Sequence, residues 1–93
     1  MQHSEQMLTP QGNKAKDQFL IWHSDDLLEF QSYGSTIAMK TSEGIVLDAY
    51  YWDYSGTTGK YRNQFLGEKK ADTLRKIRSG EYKLQNLNKQ LGE

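Results

Sequence analysis

Between Leu28 and Ala49 the apolar side chains return at every second position, and between Tyr61 and Ile77 at every third or fourth, and this change of period most restricts the fold. A period of two is that of a strand with one face on a core, and a period near 3.6 that of a helix with one apolar stripe. A chain of 93 residues in which one pattern follows the other reads as one α+β domain, strands first and helices after.

The apolar run at residues 19–23 ends at Ser24-Asp25-Asp26 and reads as a first strand. Leu28 and Phe30 share a face, Gly34 and Ser35 interrupt, and Ile37 and Met39 resume the alternation as far as Thr41. After the turn signal Ser42-Glu43-Gly44, Ile45, Leu47 and Ala49 face the core on a returning strand, with Val46 and Asp48 on its other side. Ser55 to Thr58 supply capping hydroxyls for a helix over about residues 58–66, striped by Tyr61 and Phe65 and stopped by Gly67. A second helix covers about residues 69–79, with Ala71, Leu74 and Ile77 inward and Gly80 at its end. Tyr82 and Leu84 alternate with Lys83 and Gln85, which suits a closing strand.

The expected architecture is an antiparallel sheet of about four or five strands, meander first and last strand at the edge, packed against two short helices. Residues 1–17, polar and aperiodic with the only proline, are expected to be a flexible N-terminal arm. Residues 18–88 are expected to be the domain and residues 89–93 a C-terminal tail.

Apolar residues make up 35% of the chain, so a domain this small has a thin core in which the aromatic rings carry much of the burial. There is no cysteine, which removes disulfides, thiolate nucleophiles and cysteine zinc sites. With no apolar run of signal-peptide or membrane-spanning length, a cytoplasmic protein is expected, with no membrane partner. The formal charge is zero, yet residues 1–55 carry three lysines against eight acids and residues 56–93 nine cations against four acids. Such a split gives either a basic face for an acidic partner or two halves that neutralise each other.

Bond-making groups are scarce. His23 has Ser24 and Asp25 beside it, but adjacent strand residues point to opposite faces, which defeats a relay. Asp25, Asp26, Glu29, Asp48 and Asp53 lack the spacing of a metal loop and read as solvated charges. In Gly56-Thr57-Thr58-Gly59-Lys60 only two residues separate the first glycine from Gly-Lys, and tyrosine follows, so the phosphate-loop pattern fails and a capped helix start remains. No catalytic residue, metal site or cofactor is expected.

What the chain offers is surface. Tyr50, Tyr51, Trp52 and Tyr54 cannot all face one core, so at least one or two of these rings are expected to be exposed as a protein-binding or self-association surface, a homodimer included. Lys60, Arg62, Arg75 and Lys76 are expected to form a basic helix face for protein or nucleic acid.

The run Tyr51-Trp52-Asp53-Tyr54-Ser55, continuing through Thr57-Thr58 and Lys60-Tyr61-Arg62-Asn63 to Phe65-Leu66-Gly67, has Ser32-Tyr33 before it and Gly80, Tyr82, Leu84 and Asn86-Leu87 after it. Over about residues 28–88 this resembles a family of small uncharacterised proteins from phages and mobile elements of Gram-positive bacteria that carry a domain of unknown function. The resemblance brings no catalytic residue; it implies a phage accessory setting. The expected function is therefore non-enzymatic: binding and occluding a host macromolecule, such as a defence-system protein. The alternative is a nucleic-acid-binding accessory protein that uses the basic second half.

Overall fold

The computed structural model describes residues 3–88, so the tail expected over residues 89–93 lies outside the described residues. Strand β1 covers His3–Leu8, β2 Lys14–Ser24, β3 Leu27–Ser32, β4 Ser35–Thr41 and β5 Gly44–Asp48. Helix α1 covers Gly56–Leu66, α2 Lys70–Ser79, and β6 Lys83–Gln85. The fold is α+β, with all six strands in one sheet in chain order.

The first five strands form an antiparallel meander, and β6 joins β5 at the edge. Two expectations are corrected here. The sheet has six strands rather than four or five, because most of the expected arm folds as β1 and the start of β2. Its turn is closed by the Thr9 N–H donating to the Asn13 carbonyl at 2.7 Å and the Gly12 N–H to the Thr9 carbonyl at 2.9 Å. Only Met7 and Ala15 of this hairpin's outer part are buried, so its backbone ladder has no apolar period to announce it. The last strand lies at the edge as expected but runs parallel to β5, because α1 and α2 carry the chain back before it pairs; a parallel pair needs such a crossover.

The core lies on one face of the sheet. Register aligns Leu20, Phe30, Ala38 and Leu47 across β2 to β5. Phe30, Ala38 and Leu47 are wholly buried. Onto this row α1 lowers Tyr61 and Phe65, the expected pair, with the Phe65 ring 5.6 Å from Phe30. A register shift opposite Phe30 and Gln31 breaks the expected Ile37 and Met39 alternation. Ile37 and Ala38 both enter the core, while Met39 stands opposite Glu29 and Val46.

Helix α1 starts two residues earlier than expected, with the Ser55 hydroxyl accepting from the Thr58 N–H. It ends at Gly67, whose φ of 70° is the left-handed conformation that glycine adopts without penalty. In α2 the expected inward Ala71 is exposed, and Thr73 is the buried residue. The cause is Glu68, which accepts from the Thr73 hydroxyl at 2.6 Å, the Lys76 ammonium at 2.7 Å and the Tyr82 hydroxyl at 3.0 Å, turning that side of α2 inward.

Since β1 is part of the sheet, Met7→Ala is expected to cost about 2–5 kcal/mol in urea unfolding, the range for a truncated buried methionine. An unchanged midpoint would return the segment to the status of an arm.

Candidate functional site

Strand β5 ends in a carboxylate that turns back on the chain. Asp48 is buried, and its Oδ2 accepts from the backbone N–H groups of Tyr50 at 3.0 Å and Tyr51 at 2.7 Å. Its Oδ1 accepts from the Leu87 N–H at 2.7 Å. An aspartate bonding to amides just ahead of it closes a turn, and here the same carboxylate also captures the segment after β6. Asn88 completes that junction: its Oδ1 accepts from the Thr36 N–H at 2.7 Å and its Nδ2 donates to the Thr36 carbonyl at 2.9 Å. One amide side chain thus supplies both bonds of a missing strand neighbour.

Residues 49–55 are held from the other side by Arg62. Its Nη1 donates to the Trp52 carbonyl at 2.9 Å and the Asp53 carboxylate at 3.1 Å, and its Nη2 to Asn63 at 3.0 Å. The guanidinium lies 5.2 Å from the centre of the Trp52 ring. Lys70 adds a 2.6 Å ion pair to Asp53. Burial works to raise the Asp53 carboxyl, but the Lys70 and Arg62 contacts outweigh it and hold the group below its ordinary value.

The loop fixed in this way displays tyrosines. Tyr50 is 75% exposed and Tyr54 58% exposed, while Tyr51 and Trp52 are half-buried against the core. Tyr51 sits between the two exposed rings, edge-on to Tyr50 at 4.7 Å and to Tyr54 at 5.2 Å. Beside them runs an open groove of about 490 Å³ whose lining includes Gly34, Ser35, Asp48, Tyr50, Tyr51 and Asn88. Of the four rings expected to bind protein, Tyr50 and Tyr54 are thus presented, Tyr51 meets both of them, and Trp52 packs against the core.

Sequence reading missed Tyr33, which occupies the β3–β4 turn at φ 53° with Gly34 at φ 83°, and is itself half-exposed. Two successive left-handed residues between paired Ser32 and Ser35 make the primed hairpin turn, in which asparagine or glycine is usual. A tyrosine there costs roughly 1–2 kcal/mol of backbone strain. The available signal was the X-Gly pair between two alternating runs.

Of the expected basic face, Arg62 is corrected, because it is buried. Arg62 is 1% exposed and spent on the loop, and half-buried Lys76 is paired with Glu68. Arg75 is exposed but bonds Asp72 at 2.8 Å, and Lys60 is the expected cation with no ion pair among the described residues. Part of the charge split closes internally, since Asp53 of the acidic half meets Arg62 and Lys70 of the basic half.

Two carboxylates expected to be solvated, Asp48 and Glu29, are buried instead. Glu29, on the sheet face away from Phe30, meets His23 Nε2 at 2.7 Å and accepts from the Thr36 hydroxyl at 2.5 Å and the Gln31 amide at 3.2 Å. Burial pushes its carboxyl up, and the bonds from Thr36, His23 and Gln31 together bring it below the ordinary 4.5. Among the described residues no three histidine or acidic side chains gather where they could hold a metal ion. No helix there is long and apolar enough to cross a membrane.

Fold and site together define a small α+β sheet domain with a braced aromatic loop. The chain belongs to a family of unknown function (DUF8033), whose family model matches residues 3–81, β1 included. No curated protein and no solved structure matches the chain.

Asp48→Ala leaves three backbone amides without their acceptor and is expected to cost about 3 kcal/mol, read by urea unfolding. Glu29 gives a pH signature. A carboxyl lowered by folding contributes stability above its unfolded value, and that contribution is lost as pH falls through the folded one. Below about 4.5 the wild type is therefore expected to lose stability more steeply than Glu29→Gln, and parallel curves would remove Glu29 from the account.

Proposed function

We propose that the protein is a non-enzymatic binding module that offers Tyr50 and Tyr54 to a macromolecular partner. The observation that carries this reading is the pairing of strong exposure in these two rings with a loop backbone pinned by Asp48 and Arg62. Exposed tyrosine supplies contact area at a low entropy cost, and a loop already ordered loses little on association. The strained Tyr33 turn supports the reading too, since strain of this kind collects at functional sites.

The partner favoured here is a protein. Nucleic acid would be met by several phosphate-facing cations, and of the four expected cations one is buried and two are paired. The phage or mobile-element setting implied by the sequence resemblance fits an accessory protein that works by occluding a host macromolecule, such as a defence-system protein, inside the cell. Occlusion needs only a fixed surface, which is what residues 49–55 provide.

Immobilised protein is expected to retain a discrete partner from host lysate, with Tyr50→Ala and Tyr54→Ala each weakening retention ~30-fold, the effect of a residue worth about 2 kcal/mol at an interface. Their unfolding midpoints are expected to stay near that of the wild type, because both rings are mostly in solvent. Retention indifferent to both changes, or a gel shift whose affinity falls steeply with salt, would transfer the function elsewhere.

A further inference from the structure

We propose that the sheet face opposite the helices is a self-association surface, on which two copies of the chain pack sheet against sheet. Register places Ile21, Glu29, Met39 and Val46 in one row across β2 to β5, on the side away from Phe30 and Leu47. Phe19 of β2 and Leu27 of β3 share that side by alternation. The five apolar members are half-buried, and none belongs to the core cluster or packs against it. Helix α1 meets the opposite face, where Phe65 lies on Phe30 and under the Lys40 ammonium.

Charge and area select the occupant. The centre of this face holds Glu29 with His23, and the Glu29 carboxylate is already met by three side-chain donors, so covering it strands no bare charge. Two further charges share this side, Lys83 of β6 through its pairing with Val46 and Asp48 by alternation with Val46, and the Asp48 carboxylate is already taken up by three backbone amides. Such a face has neither the cations that nucleic acid or lipid phosphate requires nor the anions that a basic partner requires. A nearly neutral apolar face is complementary to itself, which is what an isologous two-fold contact needs. With β1 and β6 as a polar rim to the apolar row on β2 to β5, six strands about 4.8 Å apart and about five residues long span about 29 by 17 Å, so two such faces cover roughly 1,000 Å², the lower bound for a specific interface. The half-buried Phe, Ile, Leu, Met and Val side chains can interdigitate at the roughly 10 Å spacing of packed sheets. The surface is separate from Tyr50 and Tyr54, so the inference does not depend on the proposed function.

Sedimentation equilibrium on the full chain, from low micromolar to submillimolar concentration, is expected to show a monomer–dimer equilibrium. Ile21→Glu is expected to raise its dissociation constant at least ~100-fold, since it buries an unpaired charge in the contact, while Tyr50→Ala leaves it unchanged. Without any substitution, the methyl resonance of Met39 is expected to shift with concentration while that of core-buried Met7 stays fixed. A monomer throughout the range would overturn the proposal. So would a dimer that leaves the Met39 methyl unmoved.

Discussion

The bond set of the Asp48 carboxylate is the constraint on which the candidate site depends. It joins three amides, those of Tyr50, Tyr51 and Leu87, that would otherwise lie on two unconnected segments. Their common acceptor turns the chain sharply out of β5, sets the direction in which the tyrosines leave, and seats the segment after β6 against the start of β4 through Asn88. The acceptor is acidic because an ionised carboxylate takes several N–H bonds at once, and a charge-assisted bond to buried amides is about twice as strong as a neutral one.

The same device recurs where apolar material runs out. Glu29 on the helix-free face, Asp48 at the end of β5 and Glu68 between the helices each accept three hydrogen bonds. With 35% apolar residues the domain cannot fasten every element by burial, so these carboxylates serve as polar staples. Each links elements distant in sequence: Glu29 ties β2 to β4, and Glu68 ties α2 to Tyr82. Arg62 is the cationic counterpart. A buried guanidinium is tolerable only because Asp53, Asn63 and the Trp52 carbonyl take up its Nη donors, and removing Asp53 would leave its charge uncompensated.

The parts of the fold legible in the sequence were those written in apolar period. Phe30, Leu47, Tyr61 and Phe65 fall where the alternation and the helical stripe put them, and Gly67 and Gly80 end the helices as left-handed caps. What was illegible rests on backbone pairing or polar burial. Strand β1 has one buried side chain, so nothing separates it from an arm until β2 is beside it. The bulge at Ile37 reverses the facing of Met39, which no residue type announces. Of the site, the tyrosine cluster was readable because four aromatics in five positions cannot all be inside. Arg62 was not: its sequence neighbours suggest a surface cation, and only the fold brings Trp52 and Asp53 to it.

Amide hydrogen exchange on the native protein tests most directly the claim that the aromatic loop is braced rather than loose. The account predicts that the Tyr50, Tyr51 and Leu87 amides exchange as slowly as those at the paired centre of β4 and β5, and that Asp48→Asn speeds all three together. Exchange of the Tyr50 and Tyr51 amides at the rate of an open chain in the wild type would contradict it.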